Sequence, residues 1–108
     1  MRILLDECLP RDFARQFPGH VVQTVPQAGW ASIQNGHLLG LIAQSGKFDV
    51  FVTVDKNLPR QHKTDSLPFA IAVLRSKSNR LADITPFAPE LLRRLSDFKP
   101  GSVHYLNP

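Results

Sequence analysis

The chain alternates short, almost wholly apolar runs with stretches in which apolar residues recur at helical spacing. Arg2 to Leu5 is an apolar run stopped by Asp6. Pro10 suits the first turn of a helix, in which Phe13 and Phe17, four apart, share one face, and Pro18-Gly19 ends it. His20 to Val25 is rich in β-branched residues and predicts a second strand, followed by a loop with Gly29 and Trp30. The next helix begins near Asn35, is apolar over most of its surface through Leu38, Leu39, Leu41, Ile42 and Ala43, and ends at Gly46.

Val50 to Val54 and Phe69 to Leu74 lack polar alternation, the mark of strands covered on both faces in a parallel sheet. Thr85-Pro86 caps and starts a last helix with Leu91, Leu92, Leu95 and Phe98 inward. Lys99-Pro100-Gly101 then turns into a final strand, Val103 to Leu106. The pattern therefore predicts an α/β protein, a three-layer α/β/α sandwich on a mostly parallel sheet of about five strands. No repeat, low-complexity tract or linker interrupts it, so residues 1–108 form one domain.

Composition narrows the classes. With 43% hydrophobic and 20% charged residues, 108 residues suffice for a core and argue against disorder. The single cysteine, Cys8, excludes an intrachain disulfide and a cysteine zinc cluster, and suits a reducing cytoplasm. No apolar run reaches the roughly 18 residues of a membrane span, and Ile3-Leu4-Leu5 is too short for a signal-peptide core, so a cytoplasmic protein with no membrane partner is expected.

The net charge of +4 is unevenly spread. Between Lys56 and Arg80 there are six basic residues, Lys56, Arg60, Lys63, Arg75, Lys77 and Arg80, against one acid, Asp65. This is a candidate polyanion surface, or else a solvated face that keeps the chain soluble.

In open parallel sheets the reactive crevice lies outside the carboxyl ends of the strands. That rule selects Asp6 and Glu7 after strand one, Asp55, Lys56 and Asn57 after strand three, and Arg75 to Asn79 after strand four. Asp6 and Asp55 are the first candidates. Two carboxylates invite a divalent cation, and Mg²⁺ commonly takes one or two protein carboxylates with water and phosphate completing its shell; Mn²⁺ shares the preference for oxygen. As alternatives, both are turn or capping residues. Glu7 either joins the metal shell or faces solvent beside Arg11. Asn57 offers an amide oxygen or caps the segment from Leu58, and Asn35 either caps its helix or closes over the site.

His20, His37, His62 and His104 show no zinc spacing, although His37 and His62 are placed to assist proton transfer if they reach the cleft. Cys8 beside two acids lacks the environment of a nucleophile and reads as packing. Trp30 stacks on a base or anchors its loop. The run Arg75-Ser-Lys-Ser-Asn-Arg80 suits phosphate contacts through side chains and backbone amides, with Ser78 among them.

Several of these stretches together resemble a known family. They are Arg2-Ile-Leu-Leu-Asp-Glu-Cys-Leu-Pro-Arg11, Ala28-Gly-Trp-Ala31, Asn35-Gly36 with Leu38-Leu39, Val52-Thr-Val-Asp-Lys-Asn-Leu-Pro59 and Val73-Leu-Arg-Ser-Lys-Ser-Asn-Arg80. Over nearly its whole length the chain is similar to the small PIN-like domains, relatives of the PIN-domain ribonucleases, many of them toxins of toxin–antitoxin pairs. The resemblance implies a PIN-like fold, cleavage of RNA assisted by Mg²⁺ or Mn²⁺, and a small DNA-binding antitoxin as partner; self-association as a homodimer is left open. It implies Asp6 and Asp55 as metal ligands, Asn57 at a position where PIN domains often carry a further Asp or Asn, and Arg75 and Lys77 as holding the RNA backbone; the strand-end reading adds Glu7 and Asn35 as further site residues, and the basic stretch adds Lys56, Arg60, Ser78 and Arg80 as RNA contacts.

One departure matters. PIN enzymes usually carry another acid on the helix after the second strand, and this chain has no Asp or Glu between Asp12 and Asp49; Asn35 and His37 occupy that region. A neutral ligand weakens cation binding, so a non-catalytic module that binds RNA or protein is the second reading. A third is a receiver-like phosphoacceptor, suggested by the acidic pair and Asp55. It lacks the lysine expected at the end of the last strand, which reads Tyr105-Leu106, and the final helix.

Overall fold

The computed structural model describes residues 1–108. Five strands form one sheet in the order β2-β1-β3-β4-β5: β1 Arg2–Leu5, β2 Val21–Thr24, β3 Val50–Thr53, β4 Ala70–Leu74 and β5 Val103–Leu106. Every pairing is parallel, with Leu5 opposite Thr24 and Val52, Val52 opposite Ala72, and Ala72 opposite His104. The three-layer α/β/α expectation holds, and the sheet is wholly parallel.

Side-chain alternation along the strands divides the core. Ile3, Leu5, Val50, Val52, Ala72 and Leu74 face one layer, where they bury Phe13, Phe17, Phe87, Leu91 and Leu95. Leu4, Phe51, Ile71 and Val73 face the other, against Leu38, Leu39, Ile42 and Leu58. That second layer is built by α1 (Asn35–Ser45) and α2 (Leu58–Gln61). Gly46 ends α1 in the left-handed conformation at φ 62°, as a C-terminal glycine should. No helix is long and apolar enough to cross a membrane.

The first layer departs from the sequence pattern in two places. The segment after Pro10 is a 3₁₀ helix, Arg11–Gln16, and Phe17 lies just beyond it; Phe13 and Phe17 still meet edge to face at 5.1 Å. The last helix begins before Thr85-Pro86, as α3 (Leu81–Ile84), passes through a 3₁₀ turn at Thr85–Phe87, and continues as α4 (Ala88–Arg94) into a second 3₁₀ turn at Leu95–Asp97. Pro86 and Pro89 each lack an amide hydrogen and so cannot continue a regular helical ladder. The Thr85 hydroxyl donates back to the Leu81 carbonyl at 2.8 Å and caps nothing ahead of it. Leu92, expected inward, is 37% exposed, because Leu91 and Leu95, four apart, take the core face.

The strand order places the site. From β1 the chain winds outward to β2, then returns to the other side of β1 for β3, so the direction of winding reverses between β1 and β3. The crevice of a doubly wound sheet opens at that switch point, outside the carboxyl ends of the two strands.

Candidate functional site

Asp6 and Asp55 lie at that crevice. The β1–β3 ladder runs one residue further, with the Asp6 amide donating to the Val52 carbonyl at 2.9 Å, so Asp6 leaves β1 level with Thr53. The Asp6 carboxylate is only 9% exposed and its oxygens are shared among neighbours. Oδ2 accepts the Thr53 hydroxyl at 2.6 Å and the Cys8 thiol at 3.6 Å; Oδ1 accepts the Glu7 amide at 2.7 Å.

Thr53 joins the two acids. Fully buried, it donates to Asp6 while its Oγ1 accepts the Asp55 amide at 3.1 Å. The Asp55 carboxylate in turn accepts the Asn57 amide at 2.9 Å on Oδ1 and the Asn35 side-chain amide at 3.3 Å on Oδ2. A chain of hydrogen bonds thus links Asp6, Thr53, Asp55, Asn35 and Asn57 across β1, β3 and the start of α1.

Burial pushes the Asp6 carboxyl above its ordinary range. The Thr53 hydroxyl, the Glu7 amide and the Cys8 thiol pull it back down, and the nearby Asp55 charge adds to the upward push. No cation of the chain relieves this. Its ion pairs are Arg2–Asp49, Arg15–Asp12, Lys77–Asp83, Arg93–Glu90 and Arg94–Glu90, none involving Asp6 or Asp55. The Cys8 thiol, raised to about 11 first by burial and then by Asp6, is inert packing, as the sequence implied.

The remaining candidates divide. Asn35 is the first residue of α1, not its cap, and its amide is spent on Asp55. Asn57 sits at the cap position of α2 but makes no side-chain capping bond; its own amide donates to the Asp55 carboxylate two residues back in a local turn. Glu7 turns aside. Its Oε1 accepts the amide of Ser32, a residue held at φ 64°, and so latches the loop before α1. Trp30 anchors that same loop, edge to face on Phe48 at 6.1 Å. His37 is exposed on α1, and the His62 ring lies against Gly36, where a β-carbon would approach it to 3.3 Å.

Of the basic candidates, Lys56 follows the carboxyl end of β3 and Arg75 and Lys77 that of β4, whereas Arg60 lies within α2 and Arg80 directly before α3. Lys56 and Arg60 are exposed after β3. After β4, the Arg75 guanidinium rests over the Tyr105 ring at 5.1 Å, and Lys77 pairs with Asp83 at 3.8 Å. Arg75, Ser76 and Lys77 line a groove of about 360 Å³ with Asp83, Pro86 and Phe87. The Ser78 hydroxyl is spent within its loop, donating to Asp83 and accepting the Arg80 amide, which leaves Arg80 exposed at the start of α3.

The side-chain oxygens at the crevice are the Asp6 and Asp55 carboxylates and Asn35 Oδ1, the last of which accepts no hydrogen bond. No three of the His, Cys, Asp and Glu side chains gather as a ligand cluster. In the sequence Thr53 stands out only as the first residue of a Thr-x-Asp pattern after the third strand, a lone hydroxyl in an otherwise apolar run; that it joins Asp6 to the Asp55 backbone depends on strand register. No family model, curated protein or solved structure matches the chain.

Proposed function

We propose that the protein is a metal-dependent ribonuclease of the PIN-like type, hydrolysing RNA phosphodiester bonds as the toxin of a toxin–antitoxin pair. One observation carries the enzymatic part. At the switch point of the sheet a buried carboxylate is tied through one hydroxyl to the backbone amide of a second, half-buried aspartate, with no side-chain cation to balance either acid. Ionised carboxylates are costly to bury without a counter-charge, so the pair is arranged for a cation from outside the chain.

Asp6 and Asp55 would hold Mg²⁺ or Mn²⁺. Such a cation supplies Lewis-acid stabilisation of charge on phosphoryl oxygens and lowers the pKa of water. Thr53 fixes the Asp6 carboxylate and the Asp55 backbone, and the Asn35 side chain and the Asn57 amide orient the Asp55 carboxylate. Arg75 and Lys77 flank the pair at the next strand end and are suited to backbone phosphates on either side of the scissile bond. The antitoxin would be a small DNA-binding protein that covers this edge.

A mixed single-stranded RNA pool with Mn²⁺ or Mg²⁺ tests the proposal. Cleavage is expected for the wild type and should be lost in EDTA and in Asp6→Asn. Cleavage that survives the double change Asp6→Asn with Asp55→Asn would remove it. The placement of a neutral amide, Asn35, against Asp55 favours a second reading, a binding module without catalysis. It predicts RNA binding that survives Asp6→Asn and is indifferent to chelator.

A further inference from the structure

A second groove flanks the carboxylates on the side away from Arg75. It measures about 390 Å³ and is lined by Glu7, Leu9, Arg11, Thr24, Pro26 and Gln27. Because Leu5 is level with Thr24, the loops leaving β1 and β2 form its two walls, and Glu7 follows Asp6 directly. The grooves therefore sit on opposite sides of the Asp6–Asp55 pair along the carboxyl edge of the sheet.

Their chemistry differs. The Arg75–Lys77 groove is basic. The second holds one cation and one anion, with exposed Pro26 as apolar surface above buried Leu9. Its polar groups are unusually well defined. Gln27 Oε1 accepts the Thr24 amide at 2.9 Å, which fixes the side-chain amide and leaves its NH₂ free. Thr24 Oγ1 accepts the Gln27 amide at 3.2 Å, and its own proton meets no acceptor in the chain. Arg11 makes no ion pair or side-chain hydrogen bond, and Glu7 keeps Oε2 free while Oε1 holds Ser32.

The free groups are thus two neutral donors, a guanidinium and one carboxylate oxygen. Among the bases, guanine joins two adjacent acceptors, N7 and O6, to donors at N1 and N2, and arginine to O6 and N7 is the commonest base-specific contact. Adenine carries an amine where guanine carries O6, so it answers donors with a donor. We infer that the groove is a guanine subsite, reading one base of a single-stranded RNA beside the phosphodiester held at Asp6 and Asp55. The inference rests on the RNA reading above and adds the base that is recognised.

The test is binding, separate from cleavage. Fluorescence anisotropy in EDTA would compare three labelled hexaribonucleotides, all uridine except for one position occupied by guanine, by adenine or by an abasic ribose. The guanine probe should bind about tenfold more tightly than the adenine probe. Gln27→Ala removes the donor without adding a carboxylate that guanine N1–H and N2–H₂ would themselves attract. In that variant and in Arg11→Ala, each checked for unchanged Trp30 emission, the preference should fall towards unity. Equal binding of the guanine and adenine probes by the wild type, a preference that survives both variants, or no binding of any probe would overturn the subsite. Equal binding with Asp6-dependent cleavage would leave the nuclease standing; guanine preference without cleavage would remove the nuclease and keep the subsite.

Discussion

Replacing Thr53 by valine separates the hydroxyl from the volume it occupies. Thr53 is 0% exposed, and Oγ1 both donates to Asp6 at 2.6 Å and accepts the Asp55 amide at 3.1 Å. Valine fills the space with a methyl group, deletes a hydrogen bond to a charged group worth about 1.5–3 kcal/mol, and strands the Asp55 amide. Asp55 is half-buried, so water recovers part of the second loss, and the total comes to about 2–4 kcal/mol. Thr53→Ser keeps the hydroxyl and loses a methyl, about 1 kcal/mol. The pH dependence has a definite sign. The hydroxyl pulls the Asp6 carboxyl down against burial, so its removal raises that group still further above its unfolded value. A raised carboxyl loses stability as pH rises through its folded pKa, so the valine deficit is largest at pH 7 and shrinks in acid. Urea unfolding followed by Trp30, the only tryptophan, measures both variants across pH. A valine cost at pH 7 no larger than the serine cost, or one that does not shrink towards pH 4, would refute the claim that the hydroxyl holds Asp6 in its charged form.

Two further outcomes follow from groups outside the site. The Arg94 guanidinium donates to His104 Nδ1 at 3.0 Å, leaving Nε2–H for Ser102 Oγ at 3.0 Å, and burial followed by the Arg94 charge lowers the His104 pKa from 6.5. The neutral ring's contribution is complete above the unfolded value and is lost as pH falls below about 6.5, so melting temperature should drop between pH 7.5 and 5.5, and less so in His104→Gln. Gly101 has φ 80°, and a β-carbon there would lie 2.3 Å from the Asp65 carbonyl oxygen, whereas Gly19 at φ 84° faces open space. Gly19→Ala should therefore cost only the left-handed backbone penalty, about 1–2 kcal/mol, and Gly101→Ala clearly more in the same urea assay; equal costs would show that the Asp65 contact yields freely.

The central strands were legible because both faces of the sheet are covered, and β3 and β4 could be read from unbroken apolar runs in the local sequence. The segment from Leu81 to Asp97 was not, since Pro86 and Pro89 break it into short turns whose phase no single period describes. A periodic reading therefore turned Leu92 inward when Leu91 and Leu95 held the core. Asp6 and Asp55 were visible from their place after apolar strands. Their partners were hidden because a partner depends on register. The bridge from Thr53 to Asp6 requires Leu5 opposite Val52, and the Asn35 contact requires the start of α1 to meet the end of β3. Asparagine's capping preference pointed to a local role, and neither Asn35 nor Asn57 adopts it. Glu7 was equally unreadable, because its target, the Ser32 amide, lies 25 residues away.

What separates Asp6 from the other acids is what it costs the fold. Asp49, Asp83 and Glu90 are half-exposed and paired with arginine or lysine, arrangements that water screens and that constrain stability little. Asp6 is buried beside another carboxylate and supported by a hydroxyl, a thiol and an amide alone, so its ionised form opposes folding. An asparagine or a leucine at that position would remove the buried charge, and a lysine across the crevice would balance it. The chain has neither, although it carries Lys56 and Arg75 at adjoining strand ends. Arg75 is drawn over Tyr105, and Lys56 faces solvent. Uncompensated charge held at a switch point by neutral donors is stability given up locally, and it is on this feature that the proposal of a cation between Asp6 and Asp55 rests.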